Sequence, residues 1–229
     1  MVGFILLGLS VPSNILIRSR LPPRDSPASL RPDLTVFLNI NFTLLCLAIF
    51  FIEYGVLIPM TYIVSYATSH GQDTKASYTL IALLNAGSTA GRIIPGVLSD
   101  YMGRFNVLIL SVGLCAVTVF GLWLPAGDSK PILTAFAVLL GFASGSNVGL
   151  VPVCVGQLCD TRDYGRFLSI AMISASFGTL TSIPVGGALL GNGGWVALIL
   201  FSSFSYLACL FLCASVRVLS TGWQLRAVF

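Results

Sequence analysis

Apolar residues fall along the chain in six blocks, at about 42–65, 76–98, 105–125, 131–155, 166–190 and 195–216. Each is close to the roughly 20 residues that cross a hydrocarbon layer of about 30 Å. The breaks between them, at 69–75, 99–104, 127–130, 160–166 and 191–194, are short and polar. Backbone groups in lipid need partners within the protein, so each block is a helix or a barrel strand. Barrel strands run to about 10 residues and alternate in polarity. These blocks are twice that length and apolar on every face, which predicts helices.

A further apolar stretch, 1–17, precedes the first block and is followed by Arg18, Arg20, Pro22, Pro23 and Arg24. Its charges follow rather than lead, and no small-residue cleavage site comes after it, so it does not read as a cleaved leader. With Pro12 and Asn14 inside, it reads as the end of a preceding span. The expected organisation is a partial transmembrane helix at 1–17, a basic linker and helix start at 18–41, a six-span domain at 42–216 and a tail at 217–229.

Composition agrees. Of 229 residues, 56% are hydrophobic and 9% charged, against about 25% charged in an ordinary soluble domain. The basic residues set the orientation. With the linker inside, Arg18, Arg20, Arg24, Arg31, Arg104, Arg162, Arg166, Arg217 and Arg226 lie on the cytoplasmic side, and only Lys75 and Lys130 on the other. The net charge of +4 is this inner-face bias and points to no nucleic-acid partner. A multi-pass protein of the plasma membrane is expected, with 18–34 and the C-terminus cytoplasmic.

Enzyme chemistry finds no footing. The spans hold no nucleophile with a base, no paired carboxylates and no Gly-rich phosphate loop, so neither a cofactor nor a primary pump is expected. Cys209 and Cys213 lack a histidine or a second pair, so no metal site is expected either. The Asn41-Phe42-Thr43 sequon falls on the inner half of a span, out of reach of the lumenal enzyme.

What remains in the spans is sparse. Glu53 lies about eleven residues, or roughly 16 Å, from the inner end of its span. Ionisable residues at such depth cost about 2.5–3.5 kcal/mol on insertion scales and usually face a cavity or pathway. Glu53 has two readings: a carboxyl that couples protons to transport, or a neutral side chain hydrogen-bonded between helices. Tyr62, beyond Pro59 in the same span, would suit a lined cavity. Arg92 lies roughly 9 Å above the inner end of the second span. It either snorkels toward the interface and Asp100 or grips a carboxylate substrate through two parallel bonds. Gly141, Gly145 and Gly149 recur every fourth residue as a smooth packing face. Asn147, on another face, either lines a cavity or bonds a neighbouring helix.

The segment Gly96-x-x-x-Asp100-x-x-Gly103-Arg104 resembles the cytoplasmic loop signature of the major facilitator superfamily, and stands between the second and third of six spans as that family requires. The runs 85–92, 141–145 with 150–152, and 182–189 resemble the monocarboxylate-transporter-like branch found in fungi. The resemblance implies an all-α membrane fold, the six-helix C-terminal half of a twelve-span carrier. It also implies a secondary transporter of a small organic acid or acidic secondary metabolite. Gly96, Asp100, Gly103 and Arg104 would then form a gating loop, and Arg92 would stand where animal members carry a carboxylate-handling Arg. The pattern departs at Tyr101 and Phe105, where the signature has basic residues. It departs again at Ser88, where those members carry an Asp; Glu53 would have to supply the coupling acid. Expected partners are a small-molecule substrate, protons, the lipid bilayer and a separate N-terminal half. The competing expectation is a half-carrier that does not transport and serves as a remnant, partner or sensor.

Overall fold

The computed structural model describes residues 2–17 and 34–222. Residues 18–33 of the expected linker and helix start, and residues 223–229 of the expected tail, lie outside the described residues. The described chain forms α1 (Val2–Leu16), a short 3-10 turn (Leu34–Leu38), α2 (Ile40–Ser69), α3 (Thr74–Met102), α4 (Arg104–Thr118), α5 (Lys130–Gln157) and α6 (Tyr164–Thr221). Five of these helices are long and apolar enough to cross a membrane. The chain is an all-α, multi-pass membrane protein.

Helix α1 is a compact unit of its own. Its polar side chains turn back onto its own carbonyls, Ser13 onto Leu9 at 2.9 Å and Asn14 onto Ser10 at 2.8 Å. Such local bonds satisfy polar groups where water is absent.

In the larger unit, helix ends follow local chemistry. Asn39 caps α2 by accepting from the amides of Asn41 and Phe42, at 3.1 and 3.4 Å. A single residue separates α3 from α4: Gly103, at φ 89°, in a region that side chains other than glycine avoid. Helix α4 continues into a π turn at Val119–Trp123, which extends the span to 20 residues.

The 58 residues of α6 would reach about 87 Å as one straight helix, nearly three bilayer cores. They do not form one. Gly194, at φ 68° and ψ −168°, breaks the run. The contacts with α2 show that the chain reverses there. Along the first arm (164–193), Ser174 bonds the Cys46 carbonyl and Ile183 meets Tyr62, so the numbers rise together. Along the second arm (195–221), Ser202 bonds the Gly55 carbonyl and Ser220 meets Asn41, so they run oppositely. Six spans therefore follow α1, as the hydrophobic blocks predict, with the last helix running on to Thr221 rather than 216.

Helices α3 and α5 touch backbone to backbone. A Cβ at Gly91 would lie 2.7 Å from the Phe142 carbonyl carbon, and one at Gly141 would lie 2.9 Å from that of Leu84. Close approach through small residues is how helices associate where lipid removes the hydrophobic drive. The core lies among α2, α4, α5 and the second arm of α6, around the fully buried Phe42, Phe105, Trp123, Phe136 and Tyr206. Helix α3 and the first arm of α6 each leave a long face exposed.

Candidate functional site

Two groups of polar residues lie on these exposed faces. The first joins α2 to the first arm of α6. Gly178 lets the arm close on α2, since a Cβ there would lie 2.9 Å from the Cβ of Glu53. One residue on, the Thr179 hydroxyl donates to Glu53 Oε2 at 3.0 Å. Tyr54 and Thr181 share a 2.7 Å hydroxyl contact, and the Tyr62 hydroxyl donates to the Ile183 carbonyl at 3.1 Å. Glu53 and Tyr62 are half-buried. Glu53 thus has one donor on its carboxyl and an open side.

The second group runs along α3. Tyr78, Asn85, Thr89, Arg92 and Asp100 recur at helical spacing and are exposed. Leu84, Gly87, Gly91 and Pro95, on the opposite side, are buried against the bundle. Near the Gly103 turn this polar stripe borders a cleft of about 260 Å³, lined by Arg92, Gly96, Ser99, Asp100, Arg104, Ser146 and Gly149. Glycines keep it open: a Cβ at Gly96 or Gly149 would meet nothing within 4 Å. Among the described residues no ion pair joins Arg92, Asp100 and Arg104. Two guanidiniums and one carboxylate around an open volume can hold an anionic group through charge-assisted bonds.

The expected site residues thus divide. Arg92, Gly96, Asp100 and Arg104 share one cleft, with Gly103 as its turn, while Glu53 and Tyr62 share the α2–α6 face. Among the described residues no ion pair links Glu53 to Arg92. Asn147 belongs to neither group. It is 4% exposed, inside the bundle beside the Cys115 thiol. Gly149 opens onto the cleft, whereas Gly141 and Gly145 press against α3. Thr179 and Thr181 escaped the sequence reading. Their signal is two hydroxyls two residues apart in an apolar span, but their partners follow only once the first arm is seen beside α2.

At the loop between α5 and α6, Arg166 pairs with Asp163 at 3.4 Å. Cys159 stands there half-buried, and burial, with Asp163 and Asp160 nearby, pushes its thiol pKa up.

The model of the Major Facilitator Superfamily matches residues 1–162 and 44–223. The chain belongs to the major facilitator superfamily. Members of that superfamily at comparable similarity include an MFS-type transporter, opdF, of Penicillium oxalicum, 37% identical over 97% of this chain and 53% of that protein. The riboflavin transporter MCH5 of Saccharomyces cerevisiae is 36% identical over 82% of this chain and 39% of its own length. The aspyridones efflux protein apdF of Emericella nidulans is 33% identical over 88% and 41% respectively. This superfamily chain spans about half the length of the relatives it matches.

Proposed function

We propose that the chain works as the C-terminal, six-span half of a secondary transporter of the monocarboxylate-like branch. It moves a small organic acid or an acidic secondary metabolite by alternating access, together with an N-terminal half of matching size. The observation that carries this reading is Arg92: exposed on the polar stripe of α3, opposite the face packed on α5, and bordering an open cleft. A guanidinium there offers a carboxylate two parallel hydrogen bonds. Glu53, with one hydroxyl donor and an open side, supplies the acid for proton coupling. The loop residues Gly96, Asp100, Gly103 and Arg104 gate the inner end. The names of the relatives support movement of a small organic molecule, since one is an efflux protein for aspyridones and another a riboflavin transporter. The linker and the C-terminus lie in the cytoplasm, and the membrane is the plasma membrane.

The test is carrier-mediated uptake of labelled organic acids into vesicles bearing an N-terminal half together with the wild-type chain or its Arg92→Ala variant, with membrane insertion checked for both. Flux should collapse in the variant. Unchanged flux in a correctly inserted Arg92→Ala protein would overturn the role given to Arg92. A second reading, a half-carrier that does not transport, is favoured by the chain spanning about half the length of its relatives. It requires that the chain carry no labelled acid under any imposed gradient even with an N-terminal half present.

A further inference from the structure

The last four carbonyls of a helix lack in-helix donors and must find others. Helix α3 ends at Met102, and α4 begins one residue later. The Gly103 amide returns to the Ser99 carbonyl at 3.1 Å. The Met102 carbonyl is taken by the side-chain amide nitrogen of Asn106, at 2.6 Å. The other end of that amide, Oδ1, accepts from Nε of Arg217, near the end of α6. Arg217 is 6% exposed, a cation drawn into the bundle.

We infer that Arg217 acts through Asn106 as the positioning residue for the turn between α3 and α4. An amide can flip, and only one orientation puts its NH₂ on a carbonyl and its oxygen on a guanidinium N–H. Arg217 therefore orients Asn106, and Asn106 holds the last carbonyl of α3. The positive charge also lies near the C-terminal, negative end of the α3 dipole, where it is favourable. A second bond anchors the same stretch of α6: Asn41 Nδ2 donates to Ser220 Oγ at 3.2 Å. The end of the sixth span thus sets the turn that carries Gly103 and Arg104. The consequence for gating rests on the function proposed above; the tether itself rests on these bonds.

The experiment is limited trypsin digestion of the purified full chain in nanodiscs, following cleavage after Arg104 by mass spectrometry. Phe105, the next residue, is fully buried, so cleavage requires the turn to open. Arg217→Met and Asn106→Leu should each speed that cleavage about tenfold, and the double variant should also reach only about tenfold, since both break one tether. Arg217→Lys, which keeps a charged donor, should fall between wild type and Arg217→Met. The buried thiols of Cys115 and Cys154 should stay closed to maleimide throughout. Wild-type cleavage rates in both single variants, or multiplication to about a hundredfold in the double variant, would overturn the inference. So would thiol labelling that rises in step with cleavage, because the effect would then be global. If Arg217→Met does not accumulate, Asn106→Leu decides alone, because Asn106 is half-exposed. Transport is not read in this experiment, so failure of the gating assignment leaves its outcome intact.

Discussion

Gly91 and Gly96 lie five residues apart on α3 and face opposite fates when given a methyl group. At Gly91 the new Cβ would stand 2.7 Å from the Phe142 carbonyl carbon and 2.9 Å from its Cα. Both are backbone atoms, so no rotamer can yield; α3 and α5 must move apart by roughly 1 Å. A gap of 0.5–1 Å forfeits about a quarter to a half of each dispersion contact, and overpacking costs about 1–3 kcal/mol. Taking about 3 kcal/mol, and about 2–4 °C per kcal/mol for a chain of this size, Gly91→Ala should lower the melting temperature by about 6–12 °C. At Gly96 the Cβ meets nothing within 4 Å. There Gly→Ala gains about 0.5–1 kcal/mol from reduced backbone freedom, so Gly96→Ala should melt at or slightly above wild type. Thermal unfolding in detergent, followed by a dye that fluoresces on reaction with thiols, reads this directly, since Cys46, Cys115, Cys154, Cys209 and Cys213 are buried. Equal shifts in the two variants would refute the backbone contact between α3 and α5.

Thr179→Val should lower stability by about 0.5–1.5 kcal/mol through loss of the hydroxyl donor to Glu53, with Glu53→Gln near wild type because its amide oxygen still accepts; the same thermal assay compares them. Tyr54→Phe should cost a similar amount, about 0.5–1.5 kcal/mol, by breaking the contact with Thr181, and a double-mutant cycle with Thr181→Val should show the two losses overlap. The Cys159 thiol has a raised pKa, so less of it is thiolate at neutral pH and its alkylation should be slower than that of a free thiol, with the rise in rate displaced to higher pH. Replacing Asp160 and Asp163 by Asn should speed alkylation and shift that profile back down, which a stopped-time iodoacetamide series would measure. A profile unmoved by both changes would assign the shift to burial alone.

The spans were legible in sequence because a length of apolar chain is all that a bilayer asks of a helix. The break after residue 190 was legible too, although the structure narrows it to Gly194. Which side of each helix meets which neighbour was not. On a helix that is apolar all round, periodicity cannot separate a face turned to the core from one turned to a cleft, so Asn147 was a candidate for a cavity and is in fact buried. The same silence covers Gly149, indistinguishable by spacing from Gly141 and Gly145 yet open where they are in contact. Helix α3 is the exception, because it sorts Leu84, Gly87 and Gly91 to one side and Asn85, Thr89, Arg92 and Asp100 to the other. Long-range pairs such as Thr179 with Glu53 and Arg217 with Asn106 depend on the reversal at Gly194 and the order of helices around the bundle, which local sequence does not encode.

The two interhelical seams differ in kind, and that difference governs how this half can deform. Where α3 and α5 rest main chain on main chain, sliding by even one residue would drive a side chain into a carbonyl. The pair is therefore a single stiff member and can only tilt whole, carrying both walls of the Arg92 cleft with it. Much of the seam between α2 and the first arm of α6 is made by hydroxyls, on Thr179, Tyr54, Thr181 and Tyr62, which can exchange one acceptor for another at little cost. At Gly178 this seam also closes on main chain, a Cβ there lying 2.8 Å from the Phe50 carbonyl oxygen, so such exchange is confined to the hydroxyl contacts, that of Glu53 among them.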